Sequence, residues 1–282
     1  MALEMRTKIY RWMPMIGYHH ILMIISAIAV IMLSILLAGC SSNSLSNIYL
    51  LSLEYTAKDS PLSTAAGQVS SGIAHAIHNV LQTGNGTTLE VRAGYMGICV
   101  TQSHTGRICS TNAQVLANLF QAQKHVKNGT STEIVPDPLN LIMIANEFKE
   151  KIVFDGLIYI VIVLIFICFL MLSSFPGWTE EIDDSGSVRE VKPFPSRPVS
   201  QTCLLGFLSS AAFCLISVLW QHINSSAAAT MAETLTYGAV SAHVGGAAMA
   251  LGWLSLGLIA AVSIGMLVMI LSISLLRKLT EE

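Results

Sequence analysis

The sequence predicts a mainly α membrane protein: a four-transmembrane-helix bundle with a mixed α/β domain folded into its first extramembrane loop. Three observations carry this. Charged residues make up only 11% of the 282-residue chain and mean hydropathy is +0.63, whereas soluble domains carry ~25% charge. Four intervals free of Asp, Glu, Lys and Arg, at 12–53, 156–179, 198–232 and 234–276, each hold the ~20 apolar residues that a ~30 Å hydrocarbon core requires. Between the first two lies a polar stretch of about 110 residues, enough for a small domain.

Taken in order, 1–19 is an N-terminal segment and 20–39 is span one, rich in Ile, Leu and Met. Residues 40–152 form the large loop, 153–174 span two, 175–202 a short polar connection, 203–221 span three, 222–247 a second loop and 248–274 span four. The C-terminal segment is 275–282. The last interval is read as one pass, because a hairpin would need ~40 apolar residues and a turn signal, and no Pro or charge marks one. Span four carries Gly245, Gly246, Gly252, Gly257 and Gly265 with several Ala, which implies close packing, within the bundle or against another protein such as a second copy of the chain.

Orientation follows from basic residues in short flanking segments. Arg6, Lys8 and Arg11 precede span one, Arg189, Lys192 and Arg197 lie between spans two and three, and Arg277 and Lys278 follow span four. An even number of spans puts all of them on one side, so both termini are expected in the cytosol. The three N-glycosylation sequons, at Asn85, Asn128 and Asn224, all fall in the two loops left for the outside.

Within the large loop, 46–55 and 87–100 read as strands, rich in Leu, Ile, Val and Tyr. Residues 65–81 place Val69, Ile73, Ile77 and Val80 at helical spacing. Ser110 can cap a helix running to about Val126, and Leu139 onward is expected to begin a helix continuous with span two. Cys99 and Cys109 are the only cysteines between 41 and 151; in an oxidising compartment they can close a loop worth ~3 kcal/mol. That staple either simply holds the loop or presents residues 100–108 to a partner. Leu37-Ala38-Gly39-Cys40 looks like a lipoprotein cleavage signal, but three further spans and a long preceding segment argue against one.

The segment Gly94-Tyr95-Met96-Gly97-Ile98-Cys99, followed after nine residues by Cys109, resembles the signature of fungal claudin-like four-span proteins, the pheromone-induced regulators of Ca2+ influx and mating membrane fusion. The run Leu37-Ala38-Gly39-Cys40-Ser41-Ser42, leading into Ile48-Tyr49-Leu50-Leu51, resembles the same family. The resemblance implies a claudin-like extracellular domain closed by a Cys99–Cys109 disulfide. It also implies a plasma-membrane protein that regulates Ca2+ influx and cell–cell fusion during mating or hyphal fusion, with a calcium channel or a cell-surface fusion protein as partner. The glycines have a physical role of their own, allowing positive φ or close approach where a Cβ would obstruct, and they are expected to bend the strand before the disulfide. The alternative is a structural organiser of membrane domains or the cell cortex, of the eisosome-associated or pH-sensing four-span type.

No catalytic constellation is present, and the chain is not expected to be an enzyme. His75 and His78 are three apart on the expected helix, without a Cys or carboxylate to complete a metal set. The loop acids Glu54, Asp59, Glu90, Glu133, Asp137, Glu147 and Glu150 are scattered rather than clustered as a calcium site requires. No phosphate-binding loop or nucleic-acid patch appears, so no cofactor and no nucleic-acid partner are expected beyond membrane lipids. Cys203 stands at a membrane edge, where acylation is an option.

Overall fold

In the computed structural model, the described residues are 18–55, 89–102, 106–122, 137, 139–175, 179–182, 188–191, 197–236, 238 and 240–281. Four helices among them are long and apolar enough to cross a membrane. These are α1 (Tyr18–Leu37), α4 (Gly156–Ser173), α5 (Arg197–Leu235) and α6 (Gly246–Glu281). At 1.5 Å per residue, the 20 residues of α1 match one hydrocarbon thickness. The 39 of α5 and 36 of α6 exceed it. An unbroken α6 agrees with a single pass.

The remaining elements are β1 (Leu51–Tyr55), β2 (Leu89–Ala93), β3 (Ile98–Gln102), β4 (Gly106–Ser110), α2 (Ala113–Ala122), α3 (Leu141–Lys151), β5 (Thr179–Ile182), β6 (Val188–Val191) and β7 (Val240–Val244). Five strands form an antiparallel sheet in the order β4-β3-β2-β1-β7. The sheet therefore draws on both long loops. Residues 222–247, expected as a loop, instead extend α5 through the helix-favouring Ala227-Ala228-Ala229 run and then supply β7. The helix stops where Gly238 takes φ +78° and donates its N–H to the Glu233 carbonyl at 2.9 Å. The Glu233 carboxylate then accepts the Ala242 N–H at 3.1 Å, tying β7 to the helix end.

Other expectations shift for local reasons. The 46–55 strand shortens to β1, with a 3₁₀ turn at Asn43–Leu45 before it. The 87–100 strand is two strands, β2 and β3, joined by a tight turn. The helix after Cys109 is capped by Asn112, whose Oδ1 accepts the Gln114 N–H at 2.9 Å, rather than by Ser110. Helices α3 and α4 are separate, not continuous. The Ile152 and Val153 N–H groups both close onto the Phe148 carbonyl, and the Trp220 indole donates to the freed Ile152 carbonyl at 3.2 Å. The connection at 175–202 contains the β5–β6 hairpin, with Glu181 and Arg189 as Cα partners. The 65–81 helix and the ends of the expected helix at Val126 lie outside the described residues.

Two compact units emerge. One draws on Met1–Leu33, Leu157–Leu215 and Trp253–Glu282. Its interior contains Leu33, Ile165, Phe207 and Ile259, all nearly inaccessible. Here α4 meets α5 closely: the Cys203 thiol donates to the Cys168 carbonyl at 3.7 Å, and the Cys168 thiol to the Cys203 carbonyl at 3.8 Å. Cys203, where the sequence leaves acylation as an option, is wholly buried.

The other unit comprises Ser34–Gly156 and Ile216–Gly252. Its sheet has an apolar face, with Leu53, Val91, Val100, Ile108 and Ala242 in one cross-strand row. Against that face packs α3, through its buried Leu141, Ala145 and Phe148. A polar clamp fixes the entry of α3. Buried Tyr55 donates from its hydroxyl to Asp137 Oδ1 at 2.6 Å and accepts the Leu139 N–H at 3.1 Å, while Asp137 also accepts the Leu141 N–H at 2.8 Å. Burial, reinforced by Asp137, pushes the Tyr55 hydroxyl well above its ordinary pKa. Tyr55→Phe removes the donor and orphans the Leu139 N–H, at an expected cost of ~1–2 kcal/mol. The check is a lower midpoint in thermal unfolding of the detergent-solubilised protein.

Candidate functional site

The two signature runs of the sequence are packed against each other. Gly94-Tyr95-Met96-Gly97 forms the turn between β2 and β3, closed by the Gly94 N–H donating to the Gly97 carbonyl at 2.9 Å. Neither glycine has positive φ; both are needed for close approach. A Cβ on Gly97 would stand 2.0 Å from the Cys40 carbonyl oxygen, and one on Gly94 would stand 2.5 Å from the Gly39 carbonyl oxygen. Backbone cannot yield as a flexible side chain can. The strand before the disulfide is therefore not bent, as expected from the sequence, but turned back on itself against residues 39–40.

Residue 40 completes the contact from the other side. Cys40 takes φ +57°, a conformation uncommon for a side chain with a Cβ. This points its carbonyl towards the hairpin, within 3.6 Å of Cys99 Sγ. Its own thiol faces the 46–48 segment, 3.5 Å from the Ile48 carbonyl oxygen. Burial pushes that thiol up to about 12, against the smaller opposing pull of Arg92 and Arg107. A free, wholly buried and protonated thiol here is a packing group, not a nucleophile.

Cys99 and Cys109 are directly opposite in the β3–β4 register and are joined by a disulfide. They share the polar face of the sheet with Ser52, Arg92 and His243 in one row, and Glu54, Glu90, Thr101, Arg107 and Ser241 in the next. Two arginines on this face hold the 46–49 segment. Arg92 pairs with Glu90 at 2.6 Å and donates to Asn47 Oδ1 at 3.0 Å and the Ser46 carbonyl at 3.3 Å, with its guanidinium 4.9 Å from the Tyr49 ring centre. Arg107 donates to Ser46 Oγ at 2.5 Å and to Thr101 Oγ1 at 3.1 Å. Ser52 Oγ supplies Glu90 with a second donor at 2.9 Å.

In the sequence Glu90 is one of the scattered loop acids. Arg92 and Glu90 are in fact mostly shielded, with side chains 15% and 19% exposed. Two charges two residues apart on one strand share a face, but only the long-range register shows that Ser46 and Asn47 lie beneath them.

Of the signature residues, Tyr95, Ile98 and Cys99 are buried, while Met96 is exposed at the turn. Within 100–108, Val100 and Gln102 are buried in β3, and residues 103–105 lie outside the described residues. Asn85, Asn128, His75 and His78 also fall outside them. Asn224 lies on α5 and donates its amide to the Trp220 carbonyl at 2.8 Å. Among the described residues, no group of three His, Cys, Asp or Glu side chains converges on a metal-sized site.

Four membrane-capable helices, beside a five-stranded sheet that carries a disulfide, define a multi-pass membrane protein. The family described as "Ca2+ regulator and membrane fusion protein Fig1" matches residues 73–272, and the chain belongs to that family. No curated protein and no solved structure gives a match.

Proposed function

We propose that this chain is a plasma-membrane regulator of Ca2+ influx and of cell–cell membrane fusion in fungal mating or hyphal fusion, acting through a stapled sheet domain on the outer face. The supporting observation is that the Gly94–Gly97 turn, inside the stretch that matches a Ca2+ regulator and fusion family, packs against Gly39-Cys40. A surface built this way is pre-organised, which reduces the ordering cost of engaging a partner.

Basic flanks on the terminal side and sequons on the other favour cytosolic termini and an outside location for the sheet, where a disulfide is stable. A claudin-like outer domain is part of this reading, its sheet built from four first-loop strands and β7 of the second loop. Regulation of a separate channel fits better than conduction by the chain itself. Intervals 156–179, 198–232 and 234–276 contain no acidic residue, whereas calcium selectivity relies on clustered oxygen ligands, usually carboxylates.

The test is to delete the gene and measure Ca2+ influx and the frequency of completed cell fusion. Both are expected to fall, and both to return on expression of the wild-type chain at the cell surface. A deletion strain with normal influx and normal fusion would remove this reading.

A further inference from the structure

Two free cysteines face each other where α4 meets α5, within one compact unit. Cys168 lies near the end of α4 and Cys203 near the start of α5, close to the connection that carries Arg189 and Lys192. Each thiol reaches the other residue's backbone, so the two residues are directly opposite: Cys168 donates to the Cys203 carbonyl at 3.8 Å and Cys203 to the Cys168 carbonyl at 3.7 Å. The two side chains are also in hydrogen-bonding contact with each other. The helices approach this closely because residue 206 is glycine; a Cβ there would stand 2.4 Å from Cys168 Sγ.

A singly placed buried cysteine, such as Cys40 or Cys214, is apolar filling. A facing pair has chemistry that neither member has alone, because a sulfur oxidised on one helix meets its resolving thiol on the other. The basic connection nearby puts the pair on the side expected to face the cytosol, where cysteines rest as thiols. With Cys168 3% and Cys203 0% exposed, neither an ionic oxidant nor an exchange enzyme can reach the sulfurs, whereas hydrogen peroxide is small and neutral.

We propose that Cys168 and Cys203 are a redox pair that a peroxide closes into a disulfide between α4 and α5. Cys168, the less buried, reacts first: an S–O bond forms as the O–O bond breaks, and the thiol proton leaves with the released hydroxide as water. The Cys203 sulfur then displaces that oxygen. The S–S bond forms as the S–O bond breaks, and the Cys203 proton leaves with the hydroxide as a second water. One peroxide is thereby reduced by two electrons and two thiols are oxidised, and the end of α4 is tied to the start of α5.

The test treats the full chain in phosphatidylcholine nanodiscs with hydrogen peroxide, denatures it in N-ethylmaleimide and maps the cysteines by mass spectrometry without reduction. The expected product is a Cys168–Cys203 cross-linked peptide in most of the chain, absent before treatment and lost on reduction, with Cys214 recovered as the alkylated thiol. Gly206→Ala keeps both sulfurs but displaces that of Cys168, and is expected to lose most of the cross-link. Variants are compared only where size-exclusion behaviour and the Cys99–Cys109 disulfide match the parent. The proposal is overturned if both thiols survive peroxide in the folded wild type, if Cys214 is oxidised as readily as the pair, or if folded Gly206→Ala cross-links undiminished.

Discussion

Gly97→Ala is expected to unfold the loop domain, at a cost above ~4 kcal/mol, the range reached only when backbone must be displaced in a packed site. The added methyl carbon would lie 2.0 Å from the Cys40 carbonyl oxygen and 2.6 Å from the carbonyl carbon. Relief requires moving either the β2–β3 turn or residue 40. The turn is tied by the Gly94–Gly97 hydrogen bond and by β3 pairing. Residue 40 is held by its left-handed backbone and by the Ala38 carbonyl, which accepts from the Ser41 N–H at 3.1 Å. The measurement is limited proteolysis and thermal unfolding of the purified protein. Gly257→Ala is the control, because a Cβ there meets nothing within 4 Å; its stability is expected to match the wild type or exceed it slightly.

The paired change Cys99→Ser with Cys109→Ser comes next in size, an expected loss of ~2–4 kcal/mol. The fold is expected to survive it, since the β3–β4 register is also fixed by backbone pairing across Ile98–Gln102 and Gly106–Ser110. A reductant should lower the unfolding midpoint of the wild-type chain towards that of the double variant and leave the double variant where it was. In a Cys109→Ser single variant, Cys40 should not replace the lost partner of Cys99, because its buried, protonated thiol faces Ile48 and not Cys99.

The four spans were legible because bilayer thickness imposes a length and an absence of charge that composition alone reveals, as 156–179 does without any motif. The cysteine pair was legible because nothing else in 41–151 could form it. Strand register was not. Val240–Val244 is only five residues long, so no local pattern announces that it joins β1, whose own segment lies almost 200 positions earlier. The glycine signature was visible while its reason was hidden: positive φ and close approach leave the same letter in a sequence, and only the proximity of Gly39 and Cys40 distinguishes them. The contacts of Arg92 and Arg107 with 46–47 were hidden for a related reason: Ser46 and Asn47 are neutral, and no charge pattern in the sequence marks them.

The most direct test asks whether the Gly39-Cys40 contact with the hairpin turn is needed for activity. In a deletion strain, Ca2+ influx and completed fusion are measured after restoring wild type, Gly97→Ala or Gly257→Ala at equal total expression. Recovery is expected with wild type and with Gly257→Ala, and loss of both activities with Gly97→Ala. Full recovery of influx and fusion with Gly97→Ala would contradict the proposed role of that contact.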